Sequence, residues 1–500
     1  MTYMLTKIRQ HFLISFSLIL LVYLFPIMLA DIYFDSDLYR AISPHGYYRG
    51  DGRPLVALLY HLLGFGGAVQ LDYGPFTQIV AGAFLVLAGL LLFDRYFKKE
   101  QPFMAAVGAF VVLASPYFVW TLIYRWDCWN QSLAVLTALT AAFVKGKTNL
   151  RTVLLSSLLI LTTYTLYQST VTVFIAIAVL GVLIGVKEGE KAKRLLLNAG
   201  QMALAFALGS FLYFKGLLLF FPVSGWVGDR ATLLNPFTEF SLFWSNLVKL
   251  SELVSAFQTG YRVLFLLFFT VAFGYSLILL CRYLKKEGFG PYSLCVAFIV
   301  LFMPLILYIN GISIVLFQRE MMFESRYVVG LLGISLYIVL SFFWLARENW
   351  RFSWIKYALF VPALYLMLYC YSYVNALKAQ QKFDNKVIGY VVSDLQNLDV
   401  IPKLRGVMFV GPMPPATAAK LIVDLQPMIV LSRHDWVYQS WKAADMVRSL
   451  KILNQQNIPM EELEAIRAKL SQEPVLKENN LYDIKIVDGI AVVYIKQGWE

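Results

Sequence analysis

The stretch T152-V-L-L-S-S-L-L-I-L-T-T-Y-T-L-Y-Q168-S-T-V-T-V-F-I-A-I-A-V-L-G-V-L-I-G-V186 decides the fold, because it contains no charged side chain. An α-helix needs about 20 apolar residues to cross a bilayer core about 30 Å thick. The stretch is too long for one crossing and long enough for two short ones. We therefore predict a hairpin of two membrane spans that turns at Tyr167 and Gln168.

Similar apolar runs fill most of the chain. Of its 500 residues, 59% are hydrophobic and 15% are charged, against roughly 45 to 50% and 25% in soluble proteins. The four cysteines have no C-x-x-C spacing and signal neither a disulfide framework nor a zinc site. The sequence predicts an α-helical polytopic membrane protein with about eleven transmembrane helices. The predicted spans are 12–30, 75–93, 103–121, 128–144, 152–168, 169–186, 199–221, 262–281, 292–312, 327–346 and 354–374.

Charges between the spans predict their orientation. Loops on the cytoplasmic side of a membrane are enriched in Lys and Arg. With the N-terminus in the cytoplasm, every inner segment is basic, from Lys7 and Arg9 to the Lys187–Arg194 loop, whereas most acidic residues fall outside. The net charge of +12 is explained by this anchoring, so we expect no nucleic-acid partner. An odd number of spans places the C-terminus outside.

Residues 376–500 have a different composition, with 15 Lys and Arg and 14 Asp and Glu. They contain a polar helix from Lys378 to about Leu398, a short strand at 406–411 and a helix from Ala416. Two β-rich runs around Asp488-Gly489 are typical of a hairpin. We predict a small α/β domain that binds the acceptor, covers the site or only caps the structure. Arg433-His434-Asp435 is interpreted as a surface turn.

The first outer loop gathers four carboxylates, three arginines and five aromatics into D31-I-Y-F-D-S-D-L-Y-R-A-I-S-P-H-G-Y-Y-R-G-D-G-R-P54. Asp35 and Asp37 share a face in an extended segment, and Arg40 follows one helical turn later. Such a group can offer a base, a cation for an anionic ligand, and rings that stack on a sugar. Alternatively, it is a solvated loop in which Asp51 caps a helix that begins at Pro54.

Three further polar groups lie at the outer ends of spans. Charged groups at membrane depth are costly and often functional, whereas those at the surface can simply anchor helices. The ammonium of Lys215, within a span, must snorkel to the surface or bind an anion such as a lipid phosphate. The three groups are Y124-R-W-D-C-W129, Y164-T-L-Y-Q168 and F317-Q-R-E-M-M-F-E-S-R-Y327.

An ordered set of motifs resembles the Gtr-type O-antigen glucosyltransferases of bacteria and their phages. The motifs are S36-D-L-Y-R40, G50-D-G-R-P54, D72-Y-G-P-F-T-Q78, S115-P-Y-F118, Y124-R-W-D127, L166-Y-Q168 and Y373-V-N-A-L-K-A-Q380. The resemblance implies a GT-C-like fold in the bacterial inner membrane. Residues 1–375 would form the glycosyltransferase domain, with a catalytic periplasmic loop at 31–74, and residues 376–500 a periplasmic α/β domain.

The resemblance also implies the substrates and residue roles. Glucose would pass from a polyprenyl-phosphate donor to lipid-linked O-antigen, as in serotype conversion. Asp37, or else Asp35, would be the catalytic base, and Asp37 is favoured because the L-Y-R spacing follows it; Ser36 stands where the family more often has a second Asp. The cations for the donor phosphate would be Arg125, Lys215, Arg326, Arg40 and Arg53. The substrate-binding residues would be Asp51, Tyr124, Asp127, Tyr167, Gln168, Arg319 and Glu320. No metal is required, although an Asp-rich loop can hold Mg²⁺.

Two other classes of protein are compatible with many spans. A transporter of lipid-linked sugar should show intramembrane charges along a path and paired repeats, and the sequence shows neither. A non-catalytic assembly protein would explain the tail but not the acidic first loop. A GT-C enzyme that donates a different sugar also fits the motifs, because hexoses differ by single hydroxyl contacts.

Overall fold

The computed structural model describes residues 2–34, 37–42, 48, 50–66, 71–223, 232–256, 261–321, 323–411, 413–425, 447 and 460–496. The chain forms two compact units. The membrane-helix unit comprises Met1–Leu29, Gly46–Val69 and Tyr73–Tyr371. The tail unit comprises Ala30–His45, Gln70–Asp72 and Ser372–Glu500.

Helices dominate the described part of the chain. The α-helices are α1 (Thr2–Ala30), α2 (Asp37–Ile42), α3 (Pro54–Leu63), α4 (Phe76–Leu92), α5 (Pro102–Leu113), α6 (Pro116–Ile123), α7 (Cys128–Phe143), α8 (Asn149–Leu166), α9 (Val171–Glu188), α10 (Ala192–Phe211), α11 (Phe240–Ala256), α12 (Arg262–Glu287), α13 (Pro291–Leu301), α14 (Met303–Leu316), α15 (Leu332–Glu348), α16 (Phe360–Asn397), α17 (Thr417–Leu425) and α18 (Met460–Lys469). Tighter or wider turns extend several of them: 3₁₀ turns at Gln168–Thr170, Ser325–Leu331, Trp350–Leu359 and Ile401–Lys403, and π turns at Phe93–Phe97 and Leu212–Leu217. A last short turn, Leu218–Phe220, follows the second π turn.

Eight helical segments of the described chain are long and apolar enough to cross a membrane, or ten if each of two bent pairs counts as one span. The helices over the predicted spans 103–121 and 292–312 are bent, because α5 and α6 meet at 75° and α13 and α14 at 60°. Pro116 and Pro304 lie in the first turn after each break, where the ring is tolerated although it would disrupt a helix interior. The α7 helix has only 16 residues. The count of eleven spans therefore stays a prediction.

The predicted hairpin turn between two spans is confirmed. The α8 helix ends at Leu166, and Tyr167 adopts an extended conformation with φ of −162° and ψ of 113°. The 3₁₀ turn from Gln168 then leads into α9. Tyr167 and Gln168 thus stand where the two helices meet.

The helices of the membrane-helix unit carry an apolar outer surface. On α1, Phe16 and Tyr23 are buried, whereas Ile14, Leu18 and Phe25 on another face are about half exposed. A large continuous apolar surface is rare on soluble monomers. The chain is therefore a membrane protein.

Small residues allow close helix packing in this unit. A Cβ atom on Gly89 of α4 would lie 2.4 Å from the ring of Phe16 on α1, and one on Gly82 would lie 2.8 Å from Leu24. Membrane helices pack through small residues because lipid provides no hydrophobic drive for association. The two glycines therefore set how closely α1 and α4 approach.

The last predicted span and the polar helix that follows it are one helix in the structure. The α16 helix contains most of the predicted span 354–374 and continues into the predicted polar helix from Lys378, because it runs without a break from Phe360 to Asn397. The connecting residues A376-L-K-A-Q380 are strong helix formers. Residues Trp350–Leu359 form a 3₁₀ helix instead of the beginning of the span.

The tail unit contains a four-stranded sheet, which confirms the small α/β fold. Its strands are β1 (Gly406–Val410), β2 (Lys477–Glu478), β3 (Tyr482–Val487) and β4 (Ile490–Ile495), in the order β1-β4-β3-β2. The β1 strand runs parallel to β4, and β3 and β4 form the predicted hairpin. At its turn, Asp488 and Gly489 have φ of 48° and 76°, as a two-residue hairpin turn requires.

Both faces of this sheet are covered. Val391 and Leu395 of α16 pack with Phe409 and Val493 on one face. On the other face, Ile466 of α18 packs with buried strand residues. The predicted turn at Arg433-His434-Asp435 lies outside the described residues.

Candidate active site

Five segments of the membrane-helix unit bring polar side chains together. They are the turn before α3 (51–53), the turn after α6 (124–127), the hairpin turn (167–168), the π turn after α10, which carries Tyr213, and the beginning of the 3₁₀ turn before α15 (324–327). We call the group the arginine–tyrosine cluster. Its members are Arg53, Tyr124, Asp127, Tyr167, Gln168, Tyr213, Glu324 and Arg326.

Arg53 is held against the hairpin turn. Its Nε donates to Oε1 of Gln168 at 3.2 Å, and its guanidinium lies 4.6 Å from the ring centroid of Tyr167. Burial opposes the charge of Arg53, but Asp51, Tyr167 and Asp127 more than offset it, so the pKa of Arg53 is raised. Arg53 therefore stays cationic and presents a flat fork of donors.

Gln168 and Tyr213 connect the hairpin turn to the loop before α3. Nε2 of Gln168 donates to the carbonyl of Asp51 at 2.8 Å and to the Tyr213 hydroxyl at 3.1 Å. The Tyr213 hydroxyl donates to the carbonyl of Gly52 at 2.8 Å. Three segments far apart in sequence are thereby tied together.

Gly52 is required at its position for two reasons. Its φ is +72°, a conformation that costs an L-residue about 1–2 kcal/mol. A Cβ atom there would also lie only 2.7 Å from the Tyr213 hydroxyl oxygen. The G50-D-G-R-P54 motif thus lets the backbone at Gly52 lie against the Tyr213 hydroxyl, immediately before Arg53.

Arg326 is surrounded by two carboxylates and an aromatic ring. Its Nη1 lies 3.7 Å from Oδ2 of Asp127, and its Nε forms a short ion pair with Glu324. The guanidinium lies 4.6 Å from the ring centroid of Tyr124. Asp127 is fully buried and Glu324 nearly so, and buried charges are tolerated only when paired. These contacts hold Arg326 in one place.

Three buried polar atoms in these segments or within one helical turn of them lack a hydrogen-bond partner among the residues that the structure describes. They are the Tyr167 hydroxyl, Oγ of Ser325 and Oδ1 of Asn130. Tyr167 is only 1% exposed. Buried polar atoms are nearly always hydrogen-bonded. Their concentration beside Arg53 and Arg326 is what a binding site for a polar ligand would show.

Most of the predicted substrate-binding residues meet in this cluster. Tyr124, Asp127, Tyr167 and Gln168 belong to it, and Asp51 contributes through its carbonyl. Arg319 and Glu320 are exposed. Arg319 pairs with Glu239, with 3.1 Å between Nε and Oε1. No described contact connects Arg319 to the cluster.

The predicted phosphate-binding cations divide in the same way. Arg53 and Arg326 belong to the cluster. Arg125 is half-buried in the turn that carries Tyr124 and Asp127. Lys215 is exposed, and within the described residues no ion pair involves it. Lys215 lies two residues after Tyr213 in the π turn. The side chain of Tyr213 is buried, whereas that of Lys215 is exposed.

Asp37 belongs to the tail unit. It is fully buried and is the first residue of α2. The backbone N–H of Phe34 donates to its Oδ2 at 3.3 Å, and its own N–H donates to the Phe34 carbonyl at 3.0 Å. Arg40, on the same helix, is half-buried, and Asp35 lies outside the described residues.

Sequence reasoning gave no individual role to three contributors. Glu324 carries a recognisable signal, an acid two residues before an arginine at the end of a span. Gly52 is marked by its place between Asp51 and Arg53 in a short polar turn. Tyr213 has no signal, because it lies inside an apolar run. The described part of the chain contains no group of three or more His, Cys, Asp or Glu that could hold a metal ion.

The fold and the cluster define a polytopic membrane protein with a buried polar site at the ends of its helices. Residues 24–337 match the family model of the glucosyl transferase GtrII. This range is more than half of the chain and contains the whole arginine–tyrosine cluster. The chain belongs to this family, which confirms the resemblance seen in the motifs and makes it a glycosyltransferase.

The chain is also similar to a protein of Salmonella phage P22. That protein is described as an uncharacterized 55.3 kDa protein in the gtrB 5′ region. It is 20% identical over 483 residues, which cover 95% of this chain and 96% of the phage protein. No solved structure matches the chain.

Proposed function

We propose that this protein transfers glucose, with inversion, from polyprenyl-phosphate-glucose to lipid-linked O-antigen at the periplasmic face of the bacterial inner membrane. The membrane-helix unit would be a GT-C-like catalytic domain. The observation that supports this most is that Arg53 lies over the ring of Tyr167, whose hydroxyl has no partner among the described residues, in the cluster that also holds Arg326 and within the range matched by the glucosyltransferase family.

The chemistry needs little beyond what these residues offer. A sugar joined to a lipid phosphate already carries a leaving group, so the enzyme positions the acceptor hydroxyl, takes its proton and stabilises the departing phosphate. In one displacement, the bond between the sugar C1 and the phosphate oxygen breaks as the acceptor oxygen bonds to C1. No covalent nucleophile is needed for inversion.

Arg53 and Tyr167 are the first ligands we assign to the donor phosphate. No carboxylate in the described chain lies within ion-pair distance of Arg53, so its guanidinium can pair with an added anion. The Tyr167 hydroxyl is a donor at neutral pH. Arg326 supplies a second cation that Asp127 and Glu324 already hold in place.

The remaining candidates keep their proposed roles. Arg40, Arg125 and Lys215 are further cations for the phosphate, with Lys215 reaching it from the exposed end of its helix. Arg319 and Glu320 would contact the acceptor from the surface, and Tyr124 would stack near the sugar. None of these roles requires a metal ion.

We assign the general base to Asp37, with Asp35 as the alternative. Asp37 is buried, and the backbone N–H of Phe34 donates to one of its oxygens, which orients the carboxylate. The acceptor hydroxyl would pass its proton to this carboxylate while polyprenyl phosphate departs.

The direct test is glucose transfer by the purified full chain in lipid vesicles. Radiolabelled polyprenyl-phosphate-glucose and lipid-linked O-antigen are the substrates, and NMR of the product reads the anomeric configuration. Donors with other hexoses, and a nucleotide-linked glucose, test donor choice. Transfer from the nucleotide sugar alone, retention of configuration, or movement of the donor across the membrane without transfer would contradict the proposal.

A matched pair of arginine variants tests the site. Arg53→Gln should lower turnover by roughly 10²-fold, the usual effect of removing one group that stabilises transition-state charge. Arg282→Gln is the control, since Arg282 is 63% exposed and pairs with Glu348, and exposed ion pairs contribute only about 0–1 kcal/mol. Equal turnover in both variants would place the phosphate elsewhere.

A further inference from the structure

The membrane-helix unit contains a cavity of about 270 Å³ between α11, α12, α14, α15 and the first residues of α6 and α16. Its walls are apolar and aromatic, with Val254, Phe268, Ile338 and Leu366 among them. A few hydroxyl groups also line it, and no residue of the described lining is charged. The cavity is therefore suited to a hydrocarbon ligand and not to a sugar or a phosphate.

Two elements connect this cavity to the arginine–tyrosine cluster. Tyr117 lines the cavity near the start of α6, and Tyr124, which stacks on Arg326, directly follows that helix. Seven residues of α-helix span about 10 Å. Leu331 lines the cavity at the end of the 3₁₀ turn that begins beside Arg326, and five residues of such a turn also span about 10 Å. The cavity thus lies about 10 Å from Arg326 along either of these two elements.

We propose that this cavity binds the isoprenoid chain of a lipid phosphate whose head group lies at Arg53 and Arg326. The choice of an isoprenoid rests on the donor assigned under the proposed function. The first units of the chain bridge the distance from the phosphate, and the next ones fill the cavity. Because a cavity of 150 Å³ holds one benzene ring, 270 Å³ has room for roughly ten carbon atoms, or about two isoprene units.

A phospholipid fits the same space less well. Its glycerol separates the phosphate from two acyl chains, and the cavity has room for part of one chain only. An isoprenoid joins its phosphate directly to a single branched chain, which suits a short, wide space among aromatic rings. The shared chemistry is a phosphate with a hydrocarbon tail, so the experiment must compare the two lipids.

The first experiment does not depend on glucose transfer. A polyprenyl phosphate with a photoreactive diazirine in its third or fourth isoprene unit, and without a sugar, is irradiated with the full chain in phosphatidylcholine vesicles. Label is expected on the cavity segments 251–255, 261–269 and 331–338. Unlabelled polyprenyl phosphate should displace it, whereas phosphatidylglycerol should not. Label on the outer face of α1 instead, or equal displacement by phosphatidylglycerol, would overturn the proposal.

The second experiment fills the cavity from two different helices. Ser335→Phe on α15 and Ser255→Phe on α11 each place a ring in the cavity, and Val248→Phe on α11 is the control because Val248 is 41% exposed and does not line it. Cavity labelling should fall at least tenfold in both filled variants and persist in the control. Unchanged labelling in the two filled variants would overturn the proposal, and the wild-type labelling map stands even where a variant does not fold.

Transfer assays then separate this inference from the proposed function. In the filled variants, KM for the long-chain donor should rise roughly tenfold or more. Losing the contacts of a single methylene group in a fitted apolar pocket already lowers binding by about tenfold. A donor with two isoprene units, too short to enter the cavity, should be used equally by all variants. If the cavity is labelled but no glucose is transferred from any prenyl donor, the proposed function fails and the prenyl-phosphate site remains. If transfer is normal but independent of chain length and cavity filling, the inference fails alone.

Discussion

Removing the hydroxyl of Tyr167 should lower glucose transfer without lowering stability. The hydroxyl is buried and has no partner among the described residues, so Tyr167→Phe removes a desolvation penalty of about 1–3 kcal/mol. A hydrogen bond to a charged phosphate is worth about 1.5–3 kcal/mol. Since about 1.4 kcal/mol is a factor of ten in rate, kcat/KM should fall roughly 10- to 150-fold. The melting temperature should stay the same or rise.

Tyr213→Phe is the matched control, because it removes a hydroxyl that is fully used. That hydroxyl donates to Gly52 at 2.8 Å and accepts from Gln168 at 3.1 Å, and each lost bond should cost about 0.5–1.5 kcal/mol of stability. Transfer kinetics and thermal unfolding in the same vesicles read both variants. Wild-type kcat/KM in Tyr167→Phe, or a loss of stability equal to that of Tyr213→Phe, would refute the role of the unpartnered hydroxyl.

Three further outcomes are expected. Gly52→Ala should lower both the melting temperature and the rate of transfer, and should do so more than Gly288→Ala. Both glycines have positive φ, but a Cβ atom at Gly288 meets nothing within 4 Å. Equal effects of the two substitutions in both assays would argue against a tight approach at Gly52. Asp37→Asn should cut turnover at saturating donor by roughly 10²-fold, and a larger loss in Asp35→Asn would move the base to that residue. A phosphatase fused after Gln380 should be active in intact cells, because the predicted odd number of spans places this residue outside the cytoplasm. Activity of a cytoplasm-only reporter at the same position would contradict that prediction.

The two arginines of the cluster should differ in what their loss does to the protein. Arg326 is paired with two buried carboxylates, and breaking a buried pair typically costs 3–5 kcal/mol because a charge is left uncompensated. Arg53 has no such pair in the described chain. Arg53 is therefore the residue at which phosphate binding can be tested with least effect on folding.

Much of the fold could be predicted from the sequence because it depends on local properties. The hairpin at Tyr167 follows from the length of an uncharged run relative to the bilayer, and the strands around Asp488-Gly489 follow from turn chemistry and residue type. The membrane class follows from composition. Each of these features is decided by residues close together in the chain. The local properties that make the sequence pattern recognisable are therefore the same ones that produce the structure.

The sequence left the course of the helices open where the same local pattern permits two structures. The runs 103–121 and 292–312 are as apolar as straight spans, and only the structure shows that α5–α6 and α13–α14 bend. The helix α16 continues through Asn375, although the change in composition there suggested a boundary. Apolar composition reports the environment of a helix and does not report its direction.

The sequence by itself indicated a membrane protein of the Gtr-type glucosyltransferase family with polar residues at the ends of its spans. Only the tertiary structure decided that Arg53, Tyr167, Tyr213 and Arg326 meet, that Arg319 pairs with Glu239, and that Tyr213 and not Lys215 turns inward. The physical reason is that helix packing brings these segments together. That packing depends on the shapes of faces distributed over the whole unit, and no period or spacing within a single segment encodes it.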